Sequence, residues 1–324
     1  MKYEKEFTVA LAGNPNVGKS TVFNALTGLK QHTGNWVGKT VGNAAGSYTY
    51  NNNKYLITDL PGTYSLCAHS AEEIIACRHI CLEKPDVTVI VCDASCLERN
   101  LNLVLQITEI TSKAVLCVNM MDEAGKKNIK TDITKLSQQL GIPVAATSAR
   151  SKKGLDKLMQ AIESVALSKE SNDIMLVYTS RIENAISQLL PLTEKIETDS
   201  RTKRFICLKL LQGDSDTVYS LCKKYGTDEN YLKALISAAD RLTDHNFTDE
   251  IISCIFITAE GIAAECVKHS ADKKCVRDRK IDRILTGKLT GVPIMLLMLF
   301  IILWITITLS LIHISEPTRR SYIS

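Results

Sequence analysis

The chain has 324 residues, of which 45% are hydrophobic and 23% charged, so it can form one or two packed domains and is not a disordered chain. Its formal net charge of +4 is small for this length and does not indicate a nucleic-acid-binding protein. The 11 cysteines lie in apolar stretches such as VIVCDASC, which favours buried thiols in a reducing compartment over a disulfide framework.

Apolar, β-branched runs alternate with helical patterns through the first half of the chain. Five runs predict strands: FTVALAG, KYLITDLPG, VTVIVCDA, KAVLCVNMMD and IPVAATSA. Such alternation is typical of a mostly parallel sheet with helices on both faces. We therefore predict an α/β domain over residues 1–170.

A glycine-rich turn, GNPNVGKST, lies between the first predicted strand and a helix and matches G-x-x-x-x-G-K-[ST]. In this motif the backbone amides and the helix dipole hold phosphates, Lys19 reaches the outer phosphates, and Ser20 offers a hydroxyl to Mg²⁺. A chance match in a tight turn is the alternative, but the flanking strand and helix favour a phosphate loop. The predicted binding residues are Gly13, Asn14, Pro15, Asn16, Val17, Gly18, Lys19, Ser20 and Thr21.

Three later strand ends decide which nucleotide this loop would hold. The second predicted strand ends in Asp59, Leu60, Pro61 and Gly62. There the carboxylate can hold Mg²⁺ through water and the Gly62 amide can sense a γ-phosphate.

The other two strand ends supply candidate base contacts: Asn119, Met120, Met121 and Asp122, then Ser148 and Ala149. A carboxylate at Asp122 can accept hydrogen bonds from N1 and N2 of guanine, which adenine does not offer. An aspartate at a strand end is by itself usually a cap or turn residue. Together with the phosphate loop, these motifs in this chain order predict a site for GTP and GDP.

The pattern changes after the polar segment KESND, residues 169–173, where we place a domain boundary. Apolar residues then recur at helical spacing, with no convincing strand after about Tyr178. The sequence therefore predicts an all-α helical domain over residues 171–272, followed by a basic juxtamembrane segment at 273–290.

Cysteine and histidine residues offer a weaker alternative, a metal site. Cys77 and Cys81, like Cys92 and Cys96, are spaced as on a helix, without a second pair at zinc spacing. We interpret these cysteines as buried or half-buried thiols. Three isolated histidines are interpreted as surface residues: His69, His79 and His269.

The stretch VPIMLLMLFIILWITITLSLI, residues 292–312, has 21 residues without a formal charge. Because about 20 apolar residues cross a bilayer core, we predict a transmembrane helix over 291–312, with a buried core helix as the alternative. The basic residues of segment 273–290 precede it, and positive charge stays cytoplasmic. Residues 1 to about 290 are therefore expected in the cytosol.

The motifs GNPNVGKST, DLPGTYSL, NMMD and TSA resemble the successive signature motifs of the Era-like, translation-factor-class GTPases. With QHTGNWVGKTVG added, the chain is similar over residues 7 to about 309 to the cytosolic head of the FeoB ferrous-iron transporters. That resemblance implies a G domain, a helical domain acting on nucleotide release, and a polytopic membrane domain present only as its first span. It further implies a GTPase whose GTP state regulates iron uptake at the bacterial inner membrane.

The same resemblance assigns roles to residues of the loop around Trp36. Thr40 would meet the γ-phosphate and Mg²⁺, with Gly38 and Lys39 beside the nucleotide, and Asp59 would support the metal. Asn16, with the carbonyl groups of Gly34 and Trp36, would hold a K⁺ ion. The residues implied to act in catalysis are Asn16, Thr40 and Gly62.

Partners also follow from the resemblance. It implies guanine nucleotide, Fe²⁺ through the missing membrane domain, and membrane lipid, with small accessory Feo proteins and a homo-oligomer as further options. No nucleic acid is expected.

This chain departs from the family pattern at three places. Thr63 stands where Ras-like enzymes place a water-positioning Gln, so intrinsic hydrolysis is expected to be slow. The K⁺ site that the resemblance implies is expected to stimulate it. The loop reads NWVGKTVG instead of NWPG followed by Val-Thr-Val, which weakens the case for the K⁺ site. Met120 replaces a Lys that many GTPases place against the base.

The residues SLIHISEPTR resemble the translation of a sequencing adapter, so we expect residues 310–324 to be a non-native tail. Two other functions remain open. One is an Era-like GTPase of ribosome assembly or RNA modification with a membrane-anchoring tail. The other is a nucleotide-binding protein without useful turnover.

Overall fold

The structure is a computed structural model that describes residues 3–28, 32–35, 42–66, 70–168, 175–242, 247–269 and 291–314. The predicted linker 169–173, the basic segment 273–290 and most of the predicted tail lie outside these residues. Residues 1–269 form one compact unit and residues 270–324 a second.

A single large sheet organises the first half of the chain. Its seven described strands lie in the order β2-β3-β4-β1-β5-β6-β8. The strands are β1 (Glu6–Gly13), β2 (His32–Asn35), β3 (Gly42–Tyr50), β4 (Asn53–Asp59), β5 (Val87–Asp93), β6 (Ala114–Asn119) and β8 (Val144–Ala146). Strands β4, β1, β5, β6 and β8 are parallel, whereas β2 and β3 pair antiparallel at one edge. The α/β prediction and all five predicted strands are confirmed.

The central strands are buried on both faces because they are apolar without interruption. Every residue of β6 is buried, and so is β5 up to its terminal Asp93. Helices of the first half cover both faces: α1 (Lys19–Thr27), α2 (Ala71–Arg78), α3 (Leu97–Ile110), α4 (Met121–Lys126), α5 (Ile133–Leu140) and α6 (Leu155–Leu167). The parallel strands therefore end at one edge of a sheet whose central strands are covered on both faces.

The second half of the unit is helical, as predicted. Its helices are α7 (Ser180–Leu189), α8 (Ser200–Leu211), α9 (Ser215–Lys224), α10 (Glu229–Asp240) and α11 (Phe247–Cys266). Apolar side chains of these helices share one continuous core with α3, for example Leu101 with Ile255. The helical part is thus packed directly on one face of the sheet domain.

Polar contacts also join the two parts of this unit. Arg204 donates to both carboxylate oxygens of Glu183 at 2.7 and 2.8 Å, and to the Leu176 carbonyl at 3.0 Å. Glu109 of α3 accepts from the Leu176 amide at 2.9 Å, and burial raises the pKa of this carboxyl. The arginine hydrogen bonds lower the pKa of Glu183.

Two expectations were wrong. A short strand, β9 (Val267–His269), follows α11 and pairs antiparallel with β7 (Ile129–Thr131) of the first half. His79 is buried, with 8% of its surface exposed, and its Nδ1 lies 2.9 Å from the Glu83 carboxylate. Burial lowers the pKa of this imidazole.

Cys77 and Cys81 are buried, as interpreted, with their sulfur atoms 3.8 Å apart. Cys92 is buried too. Cys96 is exposed, so the interpretation of this cysteine as a buried or half-buried thiol was wrong as well.

A long apolar helix, α12 (Gly291–Ile314), belongs to the second unit. Most of its described apolar side chains are exposed, among them Phe300 and Trp304. Within the residues whose side chains the structure describes, no helix is both long and apolar enough to cross a membrane. The predicted helix is present, and the predicted membrane span stays a prediction.

Candidate functional site

The glycine-rich turn connects the end of β1 to the start of α1. Gly18 precedes α1 with φ 80°, and Asn16 also lies in the left-handed region with φ 66°. This conformation is costly for most side chains and free for glycine. The turn therefore opens α1 with its first amides directed outward from the helix end, where anions bind.

Two glycines of this turn leave no room for a side chain. A Cβ on Gly13 would lie 2.5 Å from the carbonyl oxygen of Val91, on the neighbouring strand β5. A Cβ on Gly18 would lie 2.5 Å from Nδ2 of Asn119 and 3.1 Å from Cε of Met120. The turn is thus packed tightly against both the sheet and the loop that follows β6.

Lys19 and Asp59 form the charged centre of the site. The ammonium group of Lys19 contacts the Asp59 carboxylate and the Leu60 carbonyl oxygen, and both side chains are about one-tenth exposed, at 10% and 12%. The Ser20 hydroxyl donates to the other oxygen of Asp59 at 3.1 Å. Hydroxyl and carboxylate oxygens side by side are ligands that Mg²⁺ prefers, so these residues fit that ion.

The segment after β4 lies against the glycine-rich turn. The Thr63 amide donates to the Gly13 carbonyl at 3.2 Å, and a Cβ on Gly62 would lie 3.2 Å from Cα of Pro15. The Thr63 side chain is buried, and its hydroxyl donates to the Ser65 carbonyl. The Thr63 hydroxyl is therefore already hydrogen-bonded within its own loop.

Asn119 connects the loops at the ends of β1, β6 and β8. Its Nδ2 donates to the Val17 carbonyl at 3.1 Å. Its Oδ1 accepts from the Thr147 hydroxyl at 3.1 Å and from the Ala149 amide at 3.0 Å. Only 2% of this residue is exposed. One buried amide thus holds the glycine-rich turn to two more loops.

Asp122 stands at the open side of this arrangement. Its amide donates to the Ser148 hydroxyl at 3.2 Å, and its side chain is exposed. Met120, with φ 60°, makes the turn between β6 and α4. Beneath the loops, burial raises the pKa of the Cys117 thiol to about 12, so this thiol is neutral. A ligand at this edge would meet backbone amides on one side and one carboxylate on the other.

The structure brings together most of the sequence-predicted residues at the carboxyl edge of the parallel strands. These are residues 13–21, Asp59 to Gly62, Asn119 to Asp122, Ser148 and Ala149. Gly38, Lys39, Thr40 and Trp36 lie outside the described residues, and Gly34 belongs to β2.

Two residues that the sequence motifs did not point to hold the segment after β4. Gln106 of α3 accepts from the Leu66 amide at 2.7 Å and from the Ser65 hydroxyl at 3.2 Å. Lys209 of α8 donates to the Leu66 carbonyl at 3.0 Å and lies 3.3 Å from Asp214. Lys209 is buried, with 3% of its surface exposed. Its position in the apolar pattern FICLKLL does not predict the contact with Leu66. Residues of both the sheet part and the helical part of the unit therefore hydrogen-bond to the end of this segment.

Two family models match this chain. One, described as Ferrous iron transport protein B, matches residues 7–162, and the other, the FeoB cytosolic helical domain, matches residues 178–268. Among curated proteins, an Fe(2+) transport protein A/Fe(2+) transporter FeoB fusion protein of Porphyromonas gingivalis is 35% identical over 318 residues. The Fe(2+) transporter FeoB of Salmonella typhimurium is 30% identical over 323 residues. These matches cover 93% and 94% of this chain but only 37% and 39% of the relatives.

A solved structure with the same fold is the cytosolic domain of the T. maritima FeoB iron transporter in a GDP form. It is 32% identical, with a TM-score of 0.69, and the match covers 81% of this chain and 100% of that chain. The chain thus spans about two fifths of the length of the curated relatives and the whole of this cytosolic domain.

Proposed function

This chain belongs to the FeoB family of ferrous iron transport proteins, and from this premise we propose that residues 1–269 are the GTP-hydrolysing head of an Fe²⁺ transporter. The G domain would comprise residues 1–170, and residues 171–272 would form a helical domain that acts on nucleotide release. The GTP or GDP state of the head would regulate iron uptake.

The observation that carries this proposal is the set of hydrogen bonds around Asn119. One buried side chain connects Val17 of the phosphate loop to Ala149 of the loop after β8, and it lies next to the exposed carboxylate of Asp122. This arrangement supports a nucleotide site in which the glycine-rich turn would hold the phosphates and Asp122 would accept from guanine. Ser20 and Asp59 would hold the Mg²⁺ that accompanies the nucleotide, together with Thr40.

We further propose slow hydrolysis that K⁺ stimulates. The Thr63 hydroxyl is bonded to Ser65, so no side chain at this position is free to orient water, and the Gly62 amide would face the γ-phosphate. Asn16, exposed and left-handed, would hold K⁺ with the Gly34 and Trp36 carbonyls. K⁺ would supply positive charge beside the phosphates, as an arginine finger does in other GTPases.

The membrane part of the proposal rests on α12. Residues 291–312 would be the first membrane span and segment 273–290 would lie at the lipid surface of the bacterial inner membrane. The Fe²⁺ pathway would belong to the part of the relatives that this chain does not span. The P. gingivalis fusion name supports a small accessory Feo protein as a partner. A homo-oligomer stays a prediction.

An Era-like GTPase acting on RNA is not favoured. The helical-domain match over residues 178–268 accounts for the part of the chain where such a GTPase would carry an RNA-binding module.

The test is GTP hydrolysis by residues 1–269, which form one compact unit. Turnover is measured at matched ionic strength in K⁺ and in Na⁺, with Asn16→Ala as the comparison. We expect turnover in K⁺ above that in Na⁺, and loss of the difference in Asn16→Ala. Hydrolysis at background in both salts would contradict the GTPase function. Equal turnover in both salts would contradict only the K⁺ role.

A further inference from the structure

The carboxyl end of α11 is fastened to the first half of the chain by a compact set of contacts. One carboxylate oxygen of Glu265 accepts from Lys135 at 2.9 Å and from Gln139 at 2.7 Å. The Cys266 thiol donates to the side-chain oxygen Oε1 of Gln139 at 3.1 Å, and the Asp132 amide donates to the backbone carbonyl of Cys266 at 2.9 Å. We call this set the α11 clamp.

Strand β9 extends the clamp directly. It pairs with β7 in the register Ile129↔His269, Lys130↔Lys268 and Thr131↔Val267. Beyond β9 the chain continues into residues 270–290 and then α12. The last strand before the apolar helix is thus hydrogen-bonded to the G-domain part of the chain.

The clamp holds the segment that lies between the two base-contact loops. The first base-contact loop, Asn119 to Asp122, leads into α4 and then β7. Helix α5 follows, then β8, and then the second base-contact loop with Ser148 and Ala149. Helix α5 has little freedom relative to β8, because Ser137 donates to the Ile142 carbonyl at 2.7 Å and Leu136 is fully buried. A displacement of α5 would therefore move the loop that follows β8.

The strand pair beside the clamp carries two like charges. Lys130 and Lys268 stand directly opposite each other in the ladder, and both side chains are exposed. Like charges at directly opposed positions destabilise a strand pair. Two carboxylates lie in the clamp: that of Asp132 accepts from the Lys135 amide within α5, and that of Glu265 joins α11 to the side chains of Lys135 and Gln139. Glu265 is therefore the charged contact between the two helices.

We propose that Glu265 is a positioning residue for guanine recognition: by holding Lys135 and Gln139 it fixes α5, and through α5 the two base-contact loops. The inference rests on the proposed function, because it assumes that these loops bind guanine. Loss of the clamp contacts then speeds the release of guanine nucleotides, GDP and GTP alike. The helix end that leads toward α12 thereby sets the lifetime of the bound nucleotide.

The experiment measures dissociation of fluorescent GDP and of a fluorescent non-hydrolysable GTP analogue from the full chain. The variants are Glu265→Ala, Lys135→Ala and the charge exchange Glu265→Lys with Lys135→Glu. Glu260→Ala is the matched control, since Glu260 is an exposed acid on the same helix. We expect Glu265→Ala and Lys135→Ala to release both nucleotides roughly fivefold faster, the low end of measured coupling between sites.

Glu260→Ala is expected to match the unchanged chain, and the charge exchange to restore slow release. Single-turnover hydrolysis at saturating GTP should be unchanged, since the clamp does not contact the phosphate side. Release rates equal to those of Glu260→Ala, or faster release of the GTP analogue alone, would overturn the inference. An unchanged chain that binds neither nucleotide would instead overturn the proposed function. A loss of folding in Glu265→Ala, seen in its melting temperature, leaves Lys135→Ala and the charge exchange to decide.

Discussion

The side-chain amide of Asn119 donates to the carbonyl oxygen of Val17 across 3.1 Å, and so joins the end of β6 to the glycine-rich turn after β1. Because Asn119 also accepts from Thr147 and Ala149, its removal leaves polar groups of three loops without their partner. Each buried polar group left unpaired costs about 1–3 kcal/mol.

We therefore expect Asn119→Ala to weaken GDP binding at least ~30-fold, equivalent to about 2 kcal/mol. It should also lower the melting temperature of the protein. Calorimetric titration and thermal unfolding measure the two effects. Asn184→Ala, at an exposed position of α7, is the control and should change neither. Unchanged GDP affinity in Asn119→Ala would show that the three loops are held by other contacts.

Asp122→Asn should change which base is bound. The carboxylate accepts two hydrogens from guanine, whereas an amide can donate one to the extra oxygen of xanthine. Loss of the charged acceptor costs about 1.5–3 kcal/mol, so GTP affinity should fall roughly 10- to 100-fold while affinity for XTP rises. Competition binding with both nucleotides measures this exchange. Glu123→Gln, at the neighbouring exposed acid, should leave the preference for GTP intact.

Lys209→Met should destabilise the compact unit by about 3 kcal/mol. The substitution leaves Asp214 with an unpaired carboxylate in a largely buried position, and breaking one side of a buried ion pair costs about 3–5 kcal/mol. Urea unfolding of residues 1–269 measures the loss. Adding Asp214→Asn removes the orphaned charge but keeps a side-chain oxygen to cap α9, so more than half of the loss should return. Equal stability of the single and double variants would contradict this account.

The ion pair of Glu183 with Arg204 predicts a pH dependence of stability. Because hydrogen bonds from Arg204 lower the folded-state pKa of Glu183 below its ordinary value of 4.5, the pair stabilises the fold fully above that value. The stabilisation is lost as pH falls through the folded-state pKa. Glu183→Gln should therefore lower the free energy of unfolding by about 1 kcal/mol at pH 7, a figure reduced for solvent screening.

The difference between Glu183→Gln and the unchanged chain should shrink below pH 4.5. Chemical unfolding between pH 3 and pH 7 measures it. Glu197→Gln, at an exposed position, is the control. A difference that stays constant down to pH 3 would contradict the assignment of this carboxylate.

Much of the fold follows from local patterns. Strands β1, β4, β5, β6 and β8 were predicted because their apolar runs are typical of parallel strands buried on both faces. Strand β3 was not, because GNAAGSYTY combines glycine, alanine and polar residues and owes its pairing to the neighbouring β4. Strand β9 has three residues at the end of a 20-residue helix, and only its partner β7 makes it a strand.

In the candidate site too, some features were predicted from local patterns and others depend on tertiary packing. Spacing and chain order predicted the loops that meet at the sheet edge, because parallel strands place their carboxyl ends together. The contacts of Lys209 and Gln106 with Leu66 depend on how the helical part packs on α3. No local pattern distinguishes such a lysine from one at the surface.

The contact between Lys19 and Asp59 has a consequence for the order in which ligands bind. The lysine and the carboxylate neutralise each other, so an approaching phosphate must compete with Asp59 for the same ammonium group. If Lys19 turned to the phosphate, Asp59 would lose its counter-charge and would become a stronger ligand for Mg²⁺. In the proposed site the metal and the nucleotide would therefore bind by an exchange of partners, and Mg²⁺ added alone should bind weakly until the nucleotide has arrived.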